Sequence, residues 1–302
     1  MSFLKNIVKL FLAFINFIFY KPKFFEKTKL NKLSENDIPR VIWLYWDSPV
    51  KNNLVEICIN RVKEICRGYE VIILDEKNVN EYIDLIEFNE NLTKAHIADY
   101  IRLKILSVYG GIWIDASTYL VENLDWILNY LNDDEVFLFY SDQCTKNKNK
   151  PIYENWFIVA NKNNILINNW LNEYLKCITS FDPFSYYSSV YSNKEIMQNI
   201  KINFAPYLIC YIALSIIINS GQYKVKSINS GSQGHYYNYK NYFNGFLISC
   251  ELLLRNKKNI YTPKMIKFTG VSRRIPNFFI QKKIYNRKSL IGSYIAESLN
   301  DY

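Results

Sequence analysis

Apolar positions along this chain follow two periods, one that suits strands and one that suits helices, and the two alternate. Ile38 to Trp46 (IPRVIWLYW) opens near a proline and continues as a β-branched and aromatic run, which predicts a first strand ended by Asp47, Ser48 and Pro49. From Leu54 to Arg67 apolar residues recur at helical spacing, Gly68 supplies a stop, and Tyr69 to Leu74 returns to a short strand. This is a β-α-β opening. No GxGxxG follows either strand, so the pattern is not a Rossmann dinucleotide fingerprint.

The same reading predicts a helix capped by Thr93 that carries Ala95, Ala98, Ile101, Ile105 and Val108 and is broken by Gly110 and Gly111 before a strand from Ile112 to Asp115. Asp99 and Arg102 are three apart and share one helical face, as a surface ion pair or as a pair turned to a ligand. In α/β sheets ligands gather beyond the carboxyl ends of strands, which is where Asp115 stands. An aspartate there can hold a hard divalent cation against a diphosphate, or it can cap the turn at Ala116 and Ser117. His96, on the same helix, is read either as a ligand contact or as a packed histidine. Further on, Trp156 to Ala160 is an apolar run, Ile165 to Ile178 reads as a helix, Phe181 to Asn193 as a polar, Tyr-rich connection, and Ala205 to Ile218 as a buried helix.

Composition narrows the class. The 302 residues are 49% hydrophobic and 22% charged, which excludes disorder, a collagen-like repeat and a charged coiled coil, and leaves room for a core with a cleft. A net charge of +9 favours anionic surfaces or ligands. Six cysteines without a CxxC pair read as reduced, buried residues of a cytosolic protein, and two histidines do not suit a zinc site. Ile7 to Tyr20 is aromatic and nearly free of charge, flanked by Lys5, Lys9, Lys21 and Lys23, and shorter than the about 20 residues of a membrane span. It predicts an interfacial helix on an anionic leaflet, with a helix packed on its own domain as the alternative. A second basic stretch, from Arg255 through Lys267, Arg273 and Arg274 to Lys288, is interleaved with aromatics. It lacks a zinc-finger or RNP motif, so no nucleic-acid partner is expected.

Three segments in order, IPRVIWLYW, AHIADYIRLKILSVYGGIWIDAST and PIYENWFIVA, over about residues 38 to 160, resemble the capsular polysaccharide synthesis glycosyltransferases. These are relatives of the DXD sugar-binding transferases that include yeast-type initiating mannosyltransferases. The resemblance implies an α/β GT-A-like fold with a central, mostly parallel mixed sheet. It implies a nucleotide-diphospho-sugar donor, UDP-hexose favoured, with Mn²⁺ or Mg²⁺, and transfer to a capsular or lipopolysaccharide-type surface glycan carried on a lipid, with retention of configuration.

By the same resemblance Asp99, Arg102 and Asp115 are carried over as catalytic residues beside the donor, and Glu154, from the ENWF segment, joins them as the fourth candidate. Tyr45, Trp46 and Asp47 are expected at the nucleotide base and ribose, with Ser117 and Asn155 completing the donor-binding set. Asp115 and Ser117 are the expected metal ligands, although Ser117 stands where the broad DXD pattern has a second carboxylate. The expected organisation is an interfacial helix over 1–30, a GT-A domain over 31–270 and a basic aromatic segment over 271–302, on the cytoplasmic face of the membrane. The polar aromatic stretch NSGSQGHYYNYKNYFNG, 229–245, reads as an exposed loop that closes over donor or acceptor, with His235 a candidate phosphate or metal contact. Two other readings stand beside this one: a soluble protein glycosyltransferase or toxin-like enzyme, and an inactive carbohydrate-binding or assembly protein of the same fold.

Overall fold

A computed structural model describes residues 38–48, 50–132, 135–187 and 206–300, together with five helical positions before them, Val8, Phe11, Leu12, Ile15 and Phe19. Strand β1 (Val41–Tyr45), helix α1 (Asn53–Ile65) and strand β2 (Glu70–Leu74) form the expected parallel unit, with Trp43 opposite Ile72. Asn52 starts α1 by accepting from the Val55 N–H at 3.1 Å. Helix α2 (Lys94–Tyr109) starts at Thr93 in a capping box whose third residue is His96. It ends at Gly110, and strand β3 (Gly111–Ile114) follows at once.

The glycine pair is what permits that junction. Gly110 and Gly111 have φ of 66° and 96°, and a Cβ on Gly111 would come within 2.5 Å of Val41 Cγ1. The chain therefore turns from α2 into a strand seated directly against β1.

Next come strand β4 (Thr118–Leu120), helix α3 (Asp125–Leu128), strands β5 (Val136–Tyr140) and β6 (Tyr153–Ala160), helices α4 (Ile165–Ile178), α5 (Pro183–Tyr186) and α6 (Ile209–Ser220), and strand β7 (Val225–Asn229). Helices α7 (Tyr236–Lys240) and α8 (Gly245–Ser249), a π-helical turn (Cys250–Leu254), strand β8 (Met265–Lys267) and helices α9 (Arg274–Gln281) and α10 (Leu290–Asn300) follow among the described residues. The central sheet has the order β2-β1-β3-β6-β5-β7, and β6 alone of its strands runs against the rest. This is the mixed, mostly parallel α/β sheet that the family resemblance implied. β4 and β8 form a separate antiparallel pair.

Alternation along β1 sends Trp43 to one face and Ile42 and Leu44 to the other. The first face packs α2, α4 and α6 through residues such as Leu103, Trp170 and Ile212; the second packs α1 and α3 through Ile59, Val62 and Ile127. A third cluster joins the outer side of α1 to α7, β8, α9 and α10, so Phe279, Ile280, Leu290, Ile291 and Tyr294 share a core with the segment before them.

Two expectations change. The stretch 229–245 is not an exposed loop: it forms a 3₁₀ turn and α7, with Tyr236, Tyr237 and Tyr239 buried. Its turn-forming Asn and Gly residues suggested a loop, but the tyrosine hydroxyls find internal partners, as Tyr237 does on the Tyr261 carbonyl at 2.5 Å. The connection from Phe181 includes α5, and residues 188–193 lie outside the described residues. The N-terminal 1–30 helix also falls largely outside them, apart from its five helical positions, which share one face and are each exposed. Among the described residues no helix is long and apolar enough to cross a membrane. Cys58, Cys66, Cys177 and Cys210 are buried and all six cysteines are free.

Candidate active site

A cleft of about 550 Å³ opens at the carboxyl ends of β1 and β3. Because β6 runs against β3, its beginning lies at the same edge: the Asp115 N–H donates to the Trp156 carbonyl at 2.9 Å, which brings Glu154 and Asn155 beside Asp115. Tyr45, Trp46 and Asp47 after β1, Asp99 and Arg102 on α2, Asp115 and Ser117 after β3, and Glu154 and Asn155 on β6 all line this one cavity. Four separate segments thus converge.

Arg102 is the hub. One guanidinium nitrogen, Nη1, is 2.9 Å from Asp99 Oδ1 and donates to the Asn155 carbonyl at 3.0 Å, while Nη2 donates to Asp115 Oδ1 at 3.0 Å. The Asn155 amide donates to Asp99 at 3.0 Å, and the Trp113 indole to Asp115 Oδ1 at 3.2 Å. The Asp99–Arg102 pair is therefore buried rather than a surface ion pair. Its burial pushes the Asp99 carboxyl up to about 7, against the pull of Arg102.

Lys267, from β8, completes the network. The β4–β8 register sets Lys267 opposite Thr118, and its ammonium donates to Asp115 Oδ2 at 2.7 Å and to Ser117 Oγ at 3.0 Å. The Ser117 hydroxyl in turn donates to the Phe268 carbonyl at 2.7 Å. Burial would raise the Asp115 carboxyl, but Lys267 and Arg102 outweigh it and hold Asp115 below the usual carboxylate range. Asp115 still keeps 24% of its side chain open to the cleft.

That arrangement bears on the expected metal ligands. Both Asp115 oxygens already accept from cations, and Ser117 lies between an ammonium and a carbonyl. Magnesium and manganese in such sites are held by one or two carboxylates together with substrate phosphates and water, so the fit turns on whether Asp115 has an oxygen to give. Among the described residues no group of three His, Cys, Asp or Glu side chains is placed to hold a metal ion. The donor set at Asp115 and Ser117 does not fit a divalent cation.

Glu154 is equally committed. It accepts from the Trp156 indole at 2.6 Å, from His235 Nδ1 at 3.2 Å and from the Tyr239 hydroxyl at 3.3 Å. Burial raises its carboxyl, but His235 and the other hydrogen bonds outweigh that and keep it below the usual range. Towards the mouth, Lys94 bridges Asp47 at 3.0 Å and Glu76 at 3.2 Å, and the Arg273 guanidinium lies 4.9 Å from the centre of the Trp46 ring. His96 does not line the cleft: the Thr93 N–H donates to its Nδ1 at 3.2 Å within the capping box.

Sequence reading singled out His235, which lines the cleft, but saw Lys267 and Arg273 only as members of a basic stretch. The nearest signal was the aromatic setting of that stretch. Lys267 reaches Asp115 only through a strand pairing across about 150 residues, which no local pattern reports.

A family model described as "Capsular polysaccharide synthesis protein" matches residues 9–211. The O-glycosyltransferase braB of Annulohypoxylon truncatum is 28% identical over 156 residues, 45% of this chain and 37% of that protein. The glycosyltransferase afumC of Aspergillus fumigatus is 25% identical over 150 residues, 43% and 38% respectively. The match thus spans little more than a third of each relative. Among solved structures, a glycosyltransferase involved in glycosylation of the major capsid of PBCV-1 aligns over 81% of this chain and 100% of its own, at 10% identity and a TM-score of 0.44. The bifunctional glycosyltransferase WbbM aligns over 80% and 47%, at 12% identity and a TM-score of 0.43.

Proposed function

Since the chain belongs to the capsular polysaccharide synthesis protein family, we propose that it is a glycosyltransferase, one that moves a hexose from a nucleotide-diphospho-sugar to a hydroxyl of a surface glycan. The observation that carries this reading is the convergence of Arg102, Lys267 and Arg273 on one cleft whose first-strand wall is Tyr45 and Trp46. Cations suit a diphosphate and aromatic faces suit a base.

In this reading the base rests against Trp46, with Asp47 accepting from the base or ribose. The diphosphate lies over Arg102 and Lys267. As the anomeric bond breaks, charge grows on the leaving diphosphate, and preformed cations in a partly dry cleft stabilise it without reorganising. Asp99 and Asn155 hold Arg102 in place. The acceptor proton leaves to a diphosphate oxygen, in keeping with retention of configuration, and Glu154 orients His235 and Tyr239 on the acceptor side instead of forming a covalent bond to sugar. Divalent-ion chemistry forms no part of this scheme, because Asp115 and Ser117 do not fit the ion.

The acceptor is read as lipid-linked and the enzyme as peripheral on the cytoplasmic face of the membrane. The exposed apolar face Val8, Phe11, Leu12, Ile15 and Phe19, with lysines at 5, 9, 21 and 23, supports that placement. Co-sedimentation with anionic liposomes tests it, and equal sedimentation of a variant lacking residues 1–30 would remove the anchor role. For the reaction, nucleotide release from UDP-, GDP-, CMP- and dTDP-sugars is measured with wild type and Asp115→Asn. Release from one donor class, lost in the variant, is expected. Absence of release with every donor, also when lipid-linked acceptors are supplied, would favour the inactive binding protein.

A further inference from the structure

We infer that the Lys267 ammonium takes the place of a divalent cation in the donor site, so that this protein engages the diphosphate of its nucleotide-sugar without a metal ion. The inference rests on the donor reading above and adds to it the identity of the cation.

The position of the lysine is the first argument. Its Nζ is 2.7 Å from the carboxylate of Asp115 and 3.0 Å from the hydroxyl of Ser117, the first and third residues of the Asp-Ala-Ser segment. Those are the two atoms to which a bound ion would be tied. A divalent ion entering there would meet the ammonium at contact distance, and the two positive charges repel in a site that shields them poorly.

The lysine is also held, not merely near. Antiparallel pairing of β4 with β8 sets its backbone, with Thr118 opposite Lys267. The Lys267 N–H donates to the Gly234 carbonyl at 2.7 Å, and the Asn238 amide donates to the Lys267 carbonyl at 2.6 Å. On the next residue the Phe268 N–H donates to the Ser117 carbonyl at 2.9 Å. With its side chain only 9% exposed, the stem has little freedom to swing away and admit an ion.

The donor count is the third argument. An ammonium has three N–H donors, and among the described residues Asp115 and Ser117 take two. The third is available to a phosphate oxygen in the cleft that Lys267 lines. Ser117 fits this arrangement better than a second carboxylate would: its hydroxyl accepts from Lys267 and donates to the Phe268 carbonyl, whereas a carboxylate would add a negative charge facing the diphosphate.

Calorimetric titration of UDP, GDP, CDP and dTDP into the full chain, once in EDTA and once in MnCl₂, tests the inference. One nucleotide is expected to bind with a Kd that differs by less than about twofold between the two buffers, and Lys267→Met is expected to weaken binding in EDTA by about tenfold or more, the loss of one charge-assisted contact. Electron paramagnetic resonance of Mn²⁺ supplies a readout that needs no nucleotide: wild type is expected to leave the free-ion signal unchanged. Binding in MnCl₂ but not in EDTA, with a protein-bound Mn²⁺ signal that Asp115→Asn abolishes, overturns the lysine's role and leaves the donor reading standing. No binding in either buffer overturns both. The wild-type arms decide the matter even where Lys267→Met does not fold.

Discussion

The guanidinium of Arg273 rests over the indole of Trp46, 4.9 Å from the ring centre, so the end of the first strand and the residue that opens α9 meet across the mouth of the cleft. Burial, the first influence on it, draws the Arg273 guanidinium below its ordinary range, while Asp115 and Asp47 pull the other way. A stacked pair of this kind presents a cation to phosphate and an aromatic face to a base at once. Removing either member should weaken nucleotide binding by about fivefold, close to 1 kcal/mol for a partly exposed cation–π contact. Titrating the nucleotide into Arg273→Ala, Trp46→Ala and the double variant measures the coupling. Additive losses would show that the two side chains act separately.

A titration near neutrality is expected from Asp99. Its carboxyl sits at about 7 in the fold because burial penalises its charge, against about 3.9 in an unfolded chain. Between those values the folded protein binds a proton that the unfolded chain has released. The contribution of Asp99 to stability therefore falls as pH rises from about 4 to about 7, and the penalty is complete above that. Activity runs the opposite way, since the ionised form is the one that holds Arg102 through Asp99 Oδ1. Log kcat/KM should rise with an inflection close to pH 7 in wild type and lose it in Asp99→Asn. An unchanged inflection in that variant would assign the titration to another group.

How much of this was legible in the sequence depends on how local the signal is. The capping residue Thr93, the glycine pair and the strand before Asp115 are each specified by neighbours within a few positions, and the structure places them as read. The β-α-β opening followed from the same local alternation, whereas the order of the later strands did not. Lys267 was not legible, because its partner Asp115 is met only through the β4–β8 pairing, and a lysine in a basic stretch looks like a solvated one. The segment around α7 misled for a related reason. Its Asn, Gly and Tyr residues are turn-like and polar by composition, yet Tyr239 is buried with its hydroxyl 2.8 Å from Ser141, a contact 98 residues distant in sequence.

The seat of Asp115 depends on Gly111. With φ at 96° and Val41 Cγ1 and the Val41 carbonyl oxygen at 2.5 and 2.7 Å from an added Cβ, Gly111→Ala must both strain the backbone and push β1 away from β3. The expected loss is about 2 kcal/mol or more in urea unfolding, from the φ penalty and overpacking together. Nucleotide binding should weaken as well, because Asp115 and Tyr45 follow these two strands. A stable variant with unaltered binding would mean that the strand junction does not set the site.

Glu154 separates a positioning carboxylate from a nucleophilic one. Its oxygens are occupied by Trp156, His235 and Tyr239, and His235 Nδ1 must carry the proton, since an ionised carboxylate can only accept. Glu154→Gln keeps the size and removes the charge, which leaves His235 facing an amide; truncation to Ala should destabilise by about 2 kcal/mol, from buried donors left without their acceptor. Because the carboxyl is held below its ordinary value, its stabilising contribution is present above about pH 4.3 and is lost as pH falls further, so wild type should show an acid-dependent loss of stability that Glu154→Gln lacks. In turnover, Glu154→Gln is expected to retain part of wild-type kcat, with the larger change in acceptor KM. Mass spectrometry of wild type incubated with a slow fluorinated donor should show no sugar attached to the peptide that carries Glu154. A covalent adduct there would instead make Glu154 the nucleophile and require its hydrogen-bond donors to release it during the reaction.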